Sequence, residues 1–203
     1  PLFSTVTHMQ PLARDDAEVV RFAQKYLRND ETVQNVAGVV SLSLTHAKIW
    51  STVTDPWTAI FEDDAVTMLN LTTARCLLNS VTILNTSAPI VYLGECASHY
   101  RGPSHATDCG ATLRSCATLC NHAYIVQPAV RSLWRHVEQA THLTALHGHP
   151  LIRYNQDVKL RAYFLKHSNA QWPLCLRHKN RDIFAQRSTF VSQGHHSKKC
   201  CSY

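Results

Sequence analysis

Residues 14–28 read RDDAEVVRFAQKYLR and place Val19, Phe22, Ala23, Tyr26 and Leu27 at spacings of three and four. That period is one face of a helix, so an amphipathic helix is expected there. Asp15 and Asp16 suit its start and Arg28 its end, because the peptide dipoles favour acids at the N-terminus and cations at the C-terminus. A second helix is expected from Gly38 to Val53, with Val39, Leu42, His46, Ile49, Trp50 and Val53 near one face, and Asp55-Pro56 ends it. Trp57–Phe61 reads as a short buried strand. Leu71–Leu84 has the helical period. Ile90–Leu93 and Ala123–Val126 are continuous apolar runs short enough for strands. Between those two strands, residues 101–116 carry Gly, Pro, Ser and Thr and read as loop. Pro128 suits the first turn of a helix over Ala129–Ala140, Asn155–His167 reads as a further helix, and Pro173–Leu176 as the final strand. Strands alternating with helices predict an α/β layered domain.

Composition adds limits. The 203 residues suffice for one full-size core, and 45% hydrophobic residues exclude a disordered chain. The net charge of +6, with 13 His in reserve, suits anionic partners such as nucleotides and phosphosugars; a basic surface kept for solubility is the competing reading. The Lys and Arg residues are scattered without interleaved aromatics, so we expect no nucleic-acid partner. No run reaches the roughly 18 apolar residues of a membrane span, and no signal peptide is visible. The sequence opens on Pro1 with its first methionine at Met9, so a fragment or processed form is expected. Eight Cys permit disulfides, and Asn70-Leu-Thr72 and Asn85-Thr-Ser87 fit the N-glycosylation acceptor pattern. Together they tilt the expected location toward the endoplasmic reticulum or Golgi lumen, with the cytoplasm as the alternative. Connectivity of the cysteines does not follow from sequence.

The sharpest chemical feature is Glu62-Asp63-Asp64, directly after the strand expected at Trp57–Phe61. In α/β domains ligands sit at the carboxyl ends of strands. Three adjacent carboxylates repel one another and stay ionised only beside positive charge. Mg²⁺ or Mn²⁺ would supply it, since both prefer carboxylate oxygens and bridge phosphates. A solvated turn or a helix N-terminus is the plain alternative.

The flanking residues extend the pattern. GVVSLSLTHAKIW (Gly38–Trp50) precedes the strand and its acids. VYLG (Val91–Gly94), CNHAYIV (Cys120–Val126), PLIRYNQD (Pro150–Asp157) and FAQRS (Phe184–Ser188) follow in order. This ordered set resembles glycosyltransferase family 25, the lipooligosaccharide and procollagen galactosyltransferases. In that family a helix with a Ser-His pair and a Trp leads into a strand ending in E-D-D, and here Thr45-His46 replaces Ser-His. The resemblance spans roughly residues 36 to 190. It divides the chain into a helical lead-in (1–35), a catalytic domain (36–192) and a polar tail (193–203).

The resemblance implies a GT-A-like fold, a mixed sheet flanked by helices. It implies a nucleotide-diphosphate sugar donor, UDP-galactose being the expected one, a glycan or hydroxylated protein acceptor, and Mn²⁺ or Mg²⁺ as cofactor. It places Asp64 and Glu62 on the metal, and Glu62, Asp63, His46 and Gln186 toward the donor. A hydrogen-bonded core residue is the competing reading for His46, and a loop amide for Gln186. An inverting transfer needs a carboxylate to take the acceptor proton. Asp157 is the candidate, with a first-turn helix acid as the competing reading. Family members usually begin with a hydrophobic strand and an N-L-x-x-R-x-x-R segment. Residues 1–35 do not show it; the first strand is missing or diverged, and Arg14 is the candidate remnant. That gap raises a second expectation, a catalytically inactive relative that serves as a binding module.

Cys109, Cys116 and Cys120 with His99, His105 and His122 form a Cys/His-rich stretch, but the spacing lacks two compact ligand pairs, so disulfides or buried thiols are expected before zinc. No P-loop, G-x-G-x-x-G or serine-nucleophile elbow is present.

Overall fold

In the computed structural model, the described residues are 5–26, 32–55, 57–83, 87–94, 98–118, 122–133, 160–161, 163–165, 167, 172–178 and 181–186. The fold is mixed α/β, and the chain divides into two compact units: residues 1–53 with 131–163, and residues 54–130 with 164–203.

The first unit is helical among its described residues. Helix α1 covers Ala17–Tyr26 and helix α2 covers Val33–Thr52. Asp16 caps α1, its Oδ1 accepting the Glu18 amide at 2.8 Å, and Glu18 adds an acid to the first turn. Val19 and Ala23 are buried against Val36, Ala37, Val40 and Leu44 of α2, with Phe22 partly buried beside them. The leading segment is tied to α2 as well. The Leu12 amide donates to Thr45 Oγ1 at 3.0 Å, and Ser41 Oγ donates to the Leu12 carbonyl. Helix α2 starts five residues before the expected Gly38, and its expected apolar face is wrong at one position: Leu42 is exposed. The buried side is instead Val36, Ala37, Val40, Leu44 and Trp50, with Ser41, Ser43, Thr45 and His46 buried among them. Hydroxyls do not disqualify a core position when they bond back into the helix, as Thr45 Oγ1 does to the Ser41 carbonyl at 2.8 Å.

The second unit holds a mixed sheet. Its strands are β1 (Thr58–Phe61), β3 (Ile90–Tyr92), β4 (His99–Ala106), β5 (Ala111–Ala117), β6 (Ala123–Val126) and β7 (Leu174–His178), in the spatial order β1-β6-β3-β7-β5-β4. Only β3 and β7 pair in parallel; the other neighbours are antiparallel. It follows that β1, β3, β7 and β4 run one way, and β6 and β5 the other. Strand β6 pairs on both sides and is buried at all four residues, which explains its unbroken apolar run. The short β8 (Arg181–Asp182) returns along the end of β7. A separate two-stranded ladder joins β2 (Ala65–Thr67) to β9 (Phe184–Gln186). Helix α3 (Leu71–Ile83) is capped by Asn70, whose Oδ1 accepts the Thr73 amide at 2.9 Å, and buries Ala74, Leu77, Leu78 and Val81.

Three expectations need correction. The stretch 101–116 is not loop: it forms most of the β4–β5 hairpin. Its glycines have other uses. Gly102, at φ +69°, sits in the register shift between Arg101 and Ser104. Gly110, at φ +70°, closes the turn in which its amide donates to the Thr107 carbonyl at 3.1 Å. The strand at Pro173–Leu176 is not the last, because β8 and β9 follow it. Strand β1 is not buried throughout: Ile60 is, whereas Phe61 is 37% exposed.

Among the described residues, two disulfides staple this unit. Cys116–Cys175 crosses diagonally between β5 and β7, and Cys76–Cys109 ties α3 to the turn of the β4–β5 hairpin. Both pairs have Cα separations suited to a bridge, 5.8 and 6.0 Å. Cys109 and Cys116 are therefore consumed as disulfides, which removes two sulfurs from the Cys/His-rich stretch considered for zinc.

Candidate functional site

Glu62, Asp63 and Asp64 stand at the carboxyl end of β1, as the strand pattern predicts. They are part of a tight turn. The Ala65 amide donates to the Glu62 carbonyl at 3.1 Å, so Asp63 and Asp64 are its two central residues, and β2 begins at Ala65. Asp63 is exposed, Glu62 and Asp64 are half-buried, and the Oδ1 oxygen of Asp64 is shielded from solvent. Consecutive residues in a tight turn splay their side chains. In keeping with that, among the described residues no three His, Cys, Asp or Glu side chains converge to hold a metal ion.

That geometry bears on the cation implied by the sequence. Mg²⁺ and Mn²⁺ bound for phosphate chemistry are commonly held by one or two carboxylates plus the substrate's own oxygens, without a full protein cage. A turn offering hard carboxylate oxygens at a strand end fits that donor set. It does not fit a closed structural site with four protein ligands.

The turn is fastened from two directions. On one side the Glu62 amide donates to the His122 carbonyl at 2.9 Å, extending the β1–β6 pairing into the turn. On the other, β9 is laid against β2 with Ala65 opposite Gln186, Val66 opposite Ala185 and Thr67 opposite Phe184. Gln186, 122 positions after Asp64 in sequence, is thereby set opposite the residue that follows Asp64. The segment before it is anchored too. The amides of Ile183 and Phe184 both donate to the Leu93 carbonyl at 3.0 Å, and the Met68 amide donates to the Ile183 carbonyl at 2.9 Å. The rings of Phe61 and Phe184 meet at 4.9 Å.

Between these fasteners lies a residue that the motif reading did not single out for this site. His122 is 4% exposed, and its Nε2 is 3.2 Å from the Phe184 carbonyl oxygen. Gly94 leaves room for the ring. A Cβ there would fall 2.1 Å from His122 Nε2 and 2.5 Å from the Phe184 oxygen. VYLG and CNHAYIV meet through the antiparallel β3–β6 pairing, and at its end the glycine of one admits the histidine of the other. The signal in sequence was the pairing of a glycine at a strand end with a histidine ahead of an all-apolar strand. Neither residue is informative without the other.

Comparison of the chain with known protein families, with curated proteins and with solved structures finds no match.

The other candidate residues are placed as follows. His46 lies on α2 in the first unit, buried at 3% and engaged by a neighbour. Arg14 of the same unit lies over Gly38, where a Cβ would come within 3.3 Å of its Nε. Asp157 lies outside the described residues, and for Gln186 only the backbone register is described. The structure thus brings Glu62, Asp63, Asp64 and the Gln186 backbone together.

Proposed function

We propose that this chain is a divalent-cation-dependent glycosyltransferase with a GT-A-like fold, moving a hexose from a nucleotide-diphosphate donor to a hydroxyl acceptor. UDP-galactose is the proposed donor, and a glycan or hydroxylated protein the acceptor. The observation that carries the reading is the acidic turn at the carboxyl end of β1 with β9 registered beside it, two elements of the glycosyltransferase-like motif set joined across the chain. Asp64 and Glu62 would hold Mn²⁺ or Mg²⁺, and Asp63 would orient the donor. The bound cation would supply Lewis-acid neutralisation of the leaving diphosphate. Proton removal from the acceptor is assigned to Asp157, and His46 and Gln186 are assigned to donor contact. Two disulfides in one unit support an oxidising compartment such as the secretory lumen. Among the described residues no helix is long and apolar enough to cross a membrane.

The test is a titration of the full chain with UDP-galactose, with and without Mn²⁺, followed by product analysis with a glycan acceptor. Mn²⁺-dependent binding and turnover that disappear in Asp64→Ala support the reading. Binding that does not respond to Mn²⁺ or to that substitution refutes it.

A second reading, an inactive relative serving as a binding module, draws on one observation. Among the described residues β1 has a neighbour on one side only, and none of residues 5–13 forms a strand beside it. Donor binding without turnover in the same titration would select this reading.

A further inference from the structure

We propose that His122 is a positioning residue that makes the acidic turn and the 183–186 segment respond as one unit, so that a cation held at the turn also orders β9. The inference rests on the assignment of the acids to a cation given above. What suggests it is the double use of one residue. The backbone carbonyl of His122 holds the Glu62 amide at 2.9 Å, and its side chain holds the Phe184 carbonyl at 3.2 Å. A carbonyl oxygen only accepts, so His122 Nε2 carries the hydrogen of that bond. The Phe184 amide is meanwhile bound to the Leu93 carbonyl at 3.0 Å, so both polar backbone atoms of Phe184 are fixed, one by Leu93, just after β3, and one by His122.

The two attachments leave little slack. His122 is buried at 4% exposure, and the ring sits where Gly94 has no side chain. A shift of the turn that carried the His122 backbone with it would drag the ring against Gly94 or strain its bond to Phe184. Because β9 runs on from Phe184 in register with β2, the same shift reaches Ala185 and Gln186. A cation held by the acids would then act on the pairing of Gln186 with Ala65 through the same contacts. Packed interiors transmit such displacements because they have no free volume to absorb them.

Two substitutions break the latch from opposite sides. His122→Leu keeps bulk and removes the donor. Gly94→Ala keeps the donor and pushes it out, since the new Cβ has no space at 2.1 Å from Nε2. His122→Gln restores an N–H donor on a flexible chain and serves as the rescue. The measurement is hydrogen exchange read by mass spectrometry over residues 62–65 and 181–186 of the full chain, with and without Mn²⁺ as the probe, near-ultraviolet circular dichroism confirming that each variant is folded. In the unsubstituted protein Mn²⁺ slows both segments together. In His122→Leu and Gly94→Ala it slows 62–65 alone, and His122→Gln regains part of the response at 181–186. Without Mn²⁺, loss of a buried hydrogen bond speeds exchange at Ile183 and Phe184 by about tenfold in the two broken variants. Unchanged exchange there, or a response of 181–186 to Mn²⁺ that survives in both, overturns the latch while leaving the acids' role intact. Failure of Mn²⁺ to alter 62–65 in the unsubstituted protein overturns the cation assignment itself, and the coupling with it.

Discussion

The two ends of the second unit are held by different chemistry. At the hairpin end, Cys116–Cys175 crosses between β5 and β7, and Cys76–Cys109 fixes the hairpin turn to α3. At the acidic end, among the described residues, a turn of three carboxylates is held by hydrogen bonds, the Phe61–Phe184 contact and the His122 ring. Covalent closure lowers the entropy of the unfolded chain and yields a rigid frame. Hydrogen bonds of about 1 kcal/mol net can be broken and remade within a working cycle. Among the described residues the hairpin end is thus fixed covalently and the acidic end by bonds that can reopen, and under the proposed function the acidic end is where a bound ligand would act.

The strongest way to break that contrast is to remove the covalent end. With a sequence separation of 59, Cys116–Cys175 closes a loop whose entropy corresponds to about 4 kcal/mol in the chain-entropy model. Cys116→Ala with Cys175→Ala is expected to lower the melting temperature by about 10 °C, measured by calorimetry in the absence of reductant. Hydrogen exchange at residues 62–65 should stay as it is below the transition. If the acidic end loosens at once, the two ends are one cooperative body and the contrast is wrong.

Next in size is the effect of a carboxylate at the other end. Asp64→Asn keeps the volume and removes the charge at a half-buried position in the turn. We expect Mn²⁺ affinity to fall about tenfold, equivalent to about 1.4 kcal/mol, with the melting temperature shifting by no more than a few degrees. Isothermal titration against Mn²⁺ checks the first part and calorimetry the second. A large loss of stability with unchanged Mn²⁺ binding would make Asp64 structural.

How much of this was legible in sequence depends on where the decisive contacts come from. Local signals carried α1, α3, β3 and β6, because each announces itself in its own period or run: Val19 and Ala23 on one helix face, AYIV as a strand buried on both sides. The acids were placed at a strand end by the same local logic. The β4–β5 hairpin was not legible, since Gly102 and Gly110 look alike in sequence but serve a bulge and a turn, and the exposed β4 has few apolar residues to mark it. Strand β9 was not legible as a strand either. Three residues gain their extended form only by pairing with β2 far upstream, although the motif reading did single out Gln186. The His122–Gly94 contact depends on two chain segments meeting, and no local pattern encodes it. The disulfide partners fall in the same class.

Helix α3 connects the two ends, which makes its cap a finer probe of the comparison. Asn70 follows β2 of the acidic end, and six residues later Cys76 enters the hairpin staple. Asn70→Ala removes the acceptor for the Thr73 amide and should cost about 1 kcal/mol, whereas Asn70→Asp keeps a capping oxygen and should cost little. The informative readout is the location of faster exchange. Loosening confined to the first turn of α3 means that the staple isolates the helix from the acidic end. Loosening that spreads to residues 65–67 means that α3 transmits between them.

The smallest expected effect lies on the outer face of the hairpin end. Arg114 Cζ lies 5.2 Å from the Tyr100 ring centroid while its Nε donates to the Gly102 carbonyl at 2.9 Å, and Arg177 Nη1 donates to the Tyr100 hydroxyl at 3.3 Å. Arg114 is exposed, so water competes for the guanidinium, and a cation–π contact there is worth about 0.5 kcal/mol. Arg114→Gln should therefore lower the melting temperature by about 1–2 °C, and less in the disulfide-free background if the hairpin no longer holds Tyr100 in place. Measuring the substitution in both backgrounds forms a double-mutant cycle between the surface contact and the staple beneath it. An equal cost in both would show that the register of β4 against β5, rather than the Cys116–Cys175 bridge, positions Tyr100. A smaller cost without the bridge would assign the order of this face to the covalent bond, and would mean that the rigid end owes even its surface contacts to the disulfide.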